Sequence, residues 1–348
     1  MEKTKRLSPN ITIRYISIPS VYNTSQFISS DCPSQVFCTK FSPDNSFLAA
    51  GCGDGAIRVF HARNGSLAYT LMNPNPSGMP YTAIRFRPLR NATKNVLLAV
   101  NADGSIQHWH ITSGKCLHTI YNEKNQLYAL DYHSDGTQFA VAGRDYGVHV
   151  FDETTRTEFA MMKGGSGTKS AGHSNRVFSL KYHPKMEHIL ISGGWDDTIQ
   201  IWDIRIGLSV RGIFGPHLAG DAVDINDQNE ILTGSWRPEN ALELWDFSSG
   251  KRICGIPWHQ STSKGEACFL YAAQFSKSGA DQLIAAGGSG SNETKLFYRD
   301  DTKILGTIAG QTHGVFSLDF SSTGEQIAVG GADAAIRIVD IIDSSKFH

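Results

Sequence analysis

Seven residues at one recurring place in this 348-residue chain have the composition of a cation site. Phe37, Tyr81, Tyr128, Phe178, Tyr271 and Phe316 each stand second in a short alternating segment, and Asp221 holds that place in the one segment lacking an aromatic. An aromatic ring carries a negative quadrupole on its face, and a neighbouring carboxylate compensates incoming positive charge, so the set suits a cation. The alternative is that these rings only pack against one another, which their large apolar area also favours.

Other chemistries find less to work with. His108-Trp109-His110 places two imidazoles on one side of a strand, but a metal needs three or four ligands and no third stands at usable spacing. Lys163-Gly164-Gly165-Ser166-Gly167-Thr168-Lys169-Ser170 is glycine-rich but lacks the order of a phosphate loop, and it leads into a strand and not a helix N-terminus. No serine or cysteine stands in a nucleophile signature with a matched base. No catalytic residue, metal or cofactor is therefore expected.

Thirty-two Lys and Arg balance 33 Asp and Glu for a formal charge of −1, so no bulk field would recruit nucleic acid or an anionic membrane. No stretch approaches the ~18 apolar residues of a membrane helix. The N-terminus lacks the apolar core of a secretion signal. Six scattered cysteines (Cys32, Cys38, Cys52, Cys116, Cys254, Cys268) without a C-x-x-C pair then read as reduced thiols of an intracellular, most simply cytoplasmic, protein. Nuclear and cytoskeletal or ciliary locations stay open as alternatives.

The elements that must position these residues are repeats. In Gly194-Trp195-Asp196-Asp197-Thr198-Ile199-Gln200-Ile201-Trp202-Asp203, an aspartate precedes Ile or Val by three residues and a large apolar residue by six. The spacing recurs at Asp54/Ile57/Phe60, Asp103/Ile106/Trp109, Asp145/Val148/Phe151 and Asp333/Ile336/Val339, with looser copies ending at Trp245 and Phe297. The closing apolar positions step by 42 to 52 residues. Upstream of each runs another alternating strand, such as Val36–Phe41, Val177–Tyr182 or Val315–Phe320, followed by a polar turn. Period-2 alternation between small and polar turns argues strands throughout, and four short strands per ~45 residues describe a propeller blade.

With Gly172-His173 ahead of its first strand and Trp202-Asp203 closing its third, the fourth repeat resembles a full WD repeat. The resemblance implies an all-β, seven-bladed WD-repeat propeller over the single domain 1–348, with repeats near 36–71, 81–120, 127–161, 173–214, 217–257, 268–308 and 313–342. It implies a structural hydrogen-bonded tetrad of His173, Ser192, Asp196 and Trp202. Blades one to three lack a clear Gly-His and are expected to rely on apolar packing. The last repeat ends after three strands, so the spare strand Ile11–Ile18, within residues 1–20, is expected to complete it and cover its open edge.

Propellers place the first strand of each blade innermost, so the aromatic set and Asp221 are expected to ring one mouth of the channel. Some WD-repeat proteins similarly take up an arginine side chain of a peptide. Trp202-Asp203-Ile204-Arg205 is similar to the box by which some family members dock on the cullin-4 ligase adaptor through Arg205, or Arg205 is an ordinary solvated arginine. In the fifth repeat the longer turn Trp236-Arg237-Pro238-Glu239-Asn240 has the composition of an interface hot spot, or Trp236 folds back over its own blade. The reading is a non-catalytic scaffold or adaptor that binds proteins or peptides around the channel. The narrower alternatives are a reader of Arg- or Lys-containing peptides and a ligase substrate receptor. Nucleic acid, membrane and self-association are not expected.

Overall fold

The computed structural model describes residues 11–17, 34–73, 77–88, 95–122, 124–164, 172–259, 266–277 and 283–343. Its strands form seven four-stranded antiparallel sheets, six of them from consecutive strands spanning 36–72, 81–121, 127–162, 177–214, 223–255 and 268–308. The seventh takes three strands from 315–343 and its fourth from the N-terminus, where Ile11 stands opposite Asp343 and Ser17 opposite Arg337. The first strand of each blade contacts the first strands of both neighbours, the seventh returning to the first, so the ring is closed. The chain is a seven-bladed β-propeller.

The alternation of the sequence explains where the core sits. Each blade is too thin to bury an apolar face alone, so the buried clusters form between neighbours. Met162, Val148 and Val150 of blade three meet Val177, Leu180 and Leu190 of blade four, for example. Each such fully buried side chain contributes about 2 kcal/mol.

Polar side chains of the innermost strands then tie neighbours together. Asp131 accepts from the amide of Tyr182, Asp224 from Phe275, Gln274 from Phe320 and Asp319 from Phe41, all at 2.9–3.0 Å. These acceptors occupy the same place in the inner strands of blades three, five, six and seven, one residue before the large apolar residue that ends the alternation.

A second regularity decides what the inner strands present. In six blades the pairing of the first two strands skips one residue near the start, leaving Phe37, Thr82, Tyr128, Phe178, Tyr271 and Phe316 as bulges. A bulge re-aims its side chain away from the sheet face. Small residues on the second strand permit it: a Cβ on Gly194 would lie 2.1 Å from the Arg176 carbonyl oxygen, and one on Gly143 would be closer still to that of Gln126.

The tetrad atoms of blade four are linked. His173 Nδ1 lies 2.9 Å from Asp196, its Nε2 lies 2.7 Å from Ser192 Oγ, and Trp202 Nε1 donates to the same oxygen at 2.7 Å. Blades one and three differ from the apolar expectation. In these two blades a base four residues after the turn aspartate pairs with it, whereas in blade two Gln107 holds that place. Arg58 pairs with Asp54 and His149 with Asp145, at 2.6 and 2.8 Å, and in blade seven Arg337 pairs with Asp333 at 2.8 Å. Residues i and i+4 of such a turn and strand lie close enough for a long or planar base to reach back, so no separate loop histidine is needed.

Candidate functional site

The bulged residues converge on one mouth of the channel. Phe37, Thr82, Tyr128, Phe178, Tyr271 and Phe316, with Pro80, Ala102, Ala219, Gly220 and Asp221, line a cavity of about 310 Å³. The rings also pack on each other: Tyr128 and Phe178 stack at 4.7 Å, Phe37 and Phe316 at 5.6 Å, and Tyr271 meets Phe316 edge-on at 5.2 Å. Packing and cavity-lining roles are thus not exclusive, since the same rings do both.

Tyr81 is the exception. It occupies the residue before the bulge, the place held by Val36, Leu127, Val177, Leu270 and Val315 elsewhere, and is buried between blades one and two. Its hydroxyl donates to Gln107, which also accepts from Trp109 Nε1 at 3.2 Å. Thr82 takes the place at the mouth and turns its hydroxyl to the Leu127 carbonyl at 2.7 Å. The one-residue offset arises because blade two carries its aromatic on the core side of the bulge.

Asp221 reaches the mouth but is not a free carboxylate. Arg85 and Lys40 lie 3.0 and 3.2 Å from it. Both belong to a charged belt further along the inner strands. The same inner-strand position reads, around the ring, Lys40, Arg85, Asp131, Lys181, Asp224, Gln274 and Asp319. Arg85 also pairs with Asp131 at 3.1 Å, Lys181 with Asp224 at 3.2 Å, and Lys40 with Asp319 at 3.3 Å, while Lys277 reaches Asp319 as well at 2.9 Å. Counting Asp221 and Lys277, four cations meet four anions. Burial pushes the Asp221 carboxyl up, and Arg85, Lys40 and Lys181 more than offset it, holding it well below the usual carboxylate range. Burial likewise opposes Asp319, yet Lys277 and Lys40 bring it down to about 2. Lys277 moves down because its burial outweighs Asp319. Sequence reasoning misses the belt, although charges of both signs stand at one strand position to be read.

From the mouth, aromatic contacts continue outward over blades four to six. Phe178 meets Trp195 at 4.9 Å, Trp195 lies parallel to His217 at 6.4 Å, and Trp236 joins His217 to Phe269 at 6.5 and 5.1 Å. Trp195 and Trp236 remain 38% and 41% exposed. Trp236 therefore both packs on its neighbours and faces solvent. Arg237 is partly exposed but engaged within its own loop: its guanidinium holds the carbonyls of Gly215 and Asn240 at 2.7–3.1 Å and pairs with Glu243, clamping the long turn. Arg205 is exposed and folds back onto Asp203 at 2.6 Å in a two-point contact.

The remaining candidates stay apart. His108 is buried against Glu153 at 3.2 Å, whereas His110 bonds Ser113 at 2.8 Å, and no group of three metal-ligating residues occurs among the described residues. Most of the 163–170 loop lies outside the described residues. Among those described, no helix is long and apolar enough to cross a membrane, and Cys38, Cys52, Cys116, Cys254 and Cys268 are unbridged thiols.

A model of the family described as WD domain, G-beta repeat matches residues 24–61, 114–152, 166–203 and 302–340. Each match ends one residue after the large apolar residue that closes the aspartate-turn pattern. Among curated proteins, the chain is 22% identical over 272 residues to the WD repeat-containing protein srw1 of Schizosaccharomyces pombe, covering 75% of this chain and 44% of that protein. It is 26% identical over 217 residues to Cell division cycle 20.1, cofactor of APC complex, of Arabidopsis thaliana, covering 59% and 43%. It is 22% identical over 286 residues to the nuclear distribution protein nudF of Aspergillus niger, covering 76% and 60%. The chain thus spans less than two thirds of the length of these relatives.

Proposed function

The chain is a WD-repeat β-propeller, and we propose that it is a non-catalytic adaptor of an intracellular protein assembly, gripping its partner with the face around the aromatic mouth. The observation that carries this reading is the partly open apolar cavity on a rigid closed ring, continued outward by exposed Trp195 and Trp236. Tryptophan and tyrosine at the centre of a contact supply much of the energy of protein interfaces. One relative is by its name the cofactor of a complex, which supports an adaptor role without naming this chain's partner.

The narrower readings have weaker support. A reader of Arg- or Lys-containing peptides needs a carboxylate to receive the cation, and Asp221 already holds two. A ligase receptor working through Arg205 has to break that residue's contact with Asp203 first.

The test is purification of the tagged chain with its partners, beside a Phe178→Ala variant of unchanged fold. A stoichiometric partner lost from the variant supports the reading. A partner held equally by both puts the contact elsewhere on the ring.

A further inference from the structure

Resting on that reading of the mouth, the charges around it indicate what kind of segment it takes. The carboxylates of this face are largely spoken for. Asp54, Asp145, Asp196 and Asp333 each pair with a base of their own blade, and Asp221 is held by the belt. Two arginines are not. Arg144, exposed in the turn of blade three, and Arg176, just before the inner strand of blade four, form no ion pair among the described residues. The Arg144 amide donates to the Gln126 carbonyl at 2.9 Å, Gln126 Oε1 accepts from the Tyr128 hydroxyl at 2.7 Å, and the Trp195 amide donates to the Arg176 carbonyl at 3.0 Å, which puts both arginines near the Tyr128–Phe178 stack. Arg176 lies over Trp195, 5.3 Å from the ring centre. A guanidinium held over a ring keeps its edges free to receive a carboxylate in two-point fashion. Asp103 of blade two is a carboxylate without an ion pair among the described residues, which biases an anionic ligand toward blades three and four.

We propose that the mouth takes an acidic peptide segment whose apolar anchor side chain enters the cavity while flanking carboxylates pair with Arg144 and Arg176. The sign is opposite to the one the aromatic-plus-aspartate pattern suggests. Arg85 and Lys40 account for the reversal: they neutralise the one carboxylate that faces the cavity. A cavity of about 310 Å³ sits at the small end of ligand pockets and suits one side chain, not an extended apolar stretch.

The test is selection of a displayed random dodecapeptide library on the immobilised full chain. Three variants run in parallel: Arg144→Gln/Arg176→Gln, Arg144→Lys/Arg176→Lys and Phe178→Ala. Selected peptides are expected to be net acidic with an aromatic or aliphatic anchor. The glutamine pair should weaken the best of them about tenfold, the lysine pair should keep most of the affinity, and Phe178→Ala should abolish binding. Neutral or basic winners, no enrichment, or affinity unchanged in the glutamine pair overturns the proposal. So does oligo(dT) displacing the peptides with a steep salt dependence, which would make the anion a nucleic acid. If these fail while a cellular partner is still lost in Phe178→Ala, the adaptor reading stands and only the charge assignment falls.

Discussion

Asp221 of blade five and Arg85 of blade two meet across the channel, one guanidinium nitrogen lying 3.1 and 3.0 Å from the two carboxylate oxygens. Together with the Lys40–Asp221 pair, this contact joins opposite sides of the ring directly, where the other inter-blade contacts described above join neighbours. Replacing Asp221 with alanine leaves Arg85 its bond to Asp131 but removes the charge-assisted bonds to both cations. The expected loss is about 2 kcal/mol in urea unfolding. An unchanged midpoint would mean the cross-channel pairs add nothing.

The belt sets an acid limit. Asp319 has a folded value of about 2, below its unfolded value, so its contribution is complete above about pH 4 and disappears as pH falls toward 2. His149 acts in the opposite direction. Burial lowers its affinity for protons, but Asp145 and Glu158 raise it further, leaving it above the ordinary value. Its contribution is complete below about pH 6.5 and is lost as pH rises through the folded value. Thermal melts from about pH 2 to 9 should show the acid-side fall diminished in Asp319→Asn and the alkaline-side fall diminished in His149→Gln. If each variant keeps the full slope on its side, other groups set it.

Tyr81 and Thr82 separate core from site. Tyr81→Phe removes a buried hydroxyl bonded to Gln107 and should cost about 1 kcal/mol of stability without changing partner affinity. Thr82→Trp, at the mouth, should alter partner affinity in a chain that still folds. Calorimetry of each variant, with and without partner, checks both.

The N-terminal strand covers the edge of the last blade along seven residue pairs. Deleting residues 1–20 should lower the melting temperature and cause concentration-dependent self-association, because the bared edge of Ile336–Asp343 becomes a template for pairing. Sedimentation velocity reads the second effect. A monomer that melts at the same temperature would show the strand to be dispensable.

Much of this architecture is legible in the sequence because it is local. The aspartate turn and its two apolar followers mark five blades, looser copies mark the fifth and sixth, and the shortfall at 336–342 signals the missing strand. What escapes is what depends on ring closure or on a bulge. Tyr81 reads as equivalent to Phe37, but the bulge falls one residue later, at Thr82, and alternation alone cannot show where a sheet skips a residue. Asp221 reads as an open carboxylate because its partners, Lys40 and Arg85, lie 181 and 136 residues away in the chain. Arg237 looks like a hot-spot residue by composition, yet three carbonyl bonds make it a turn clamp. Its neighbour Trp236 has no such bond from its ring nitrogen among the described residues and stays partly exposed.

Whether the partner sits on the face around the aromatic mouth is read most directly by hydrogen exchange on the chain alone and on its purified complex. Slowed exchange is expected at the turns carrying Arg144, Trp195 and Trp236 and at the strand starts around Phe37, Phe178 and Phe316. Slowing confined to the outer strands, such as Leu208–Phe214 with its exposed Val210 and Phe214, would contradict the adaptor face and put the contact on the rim.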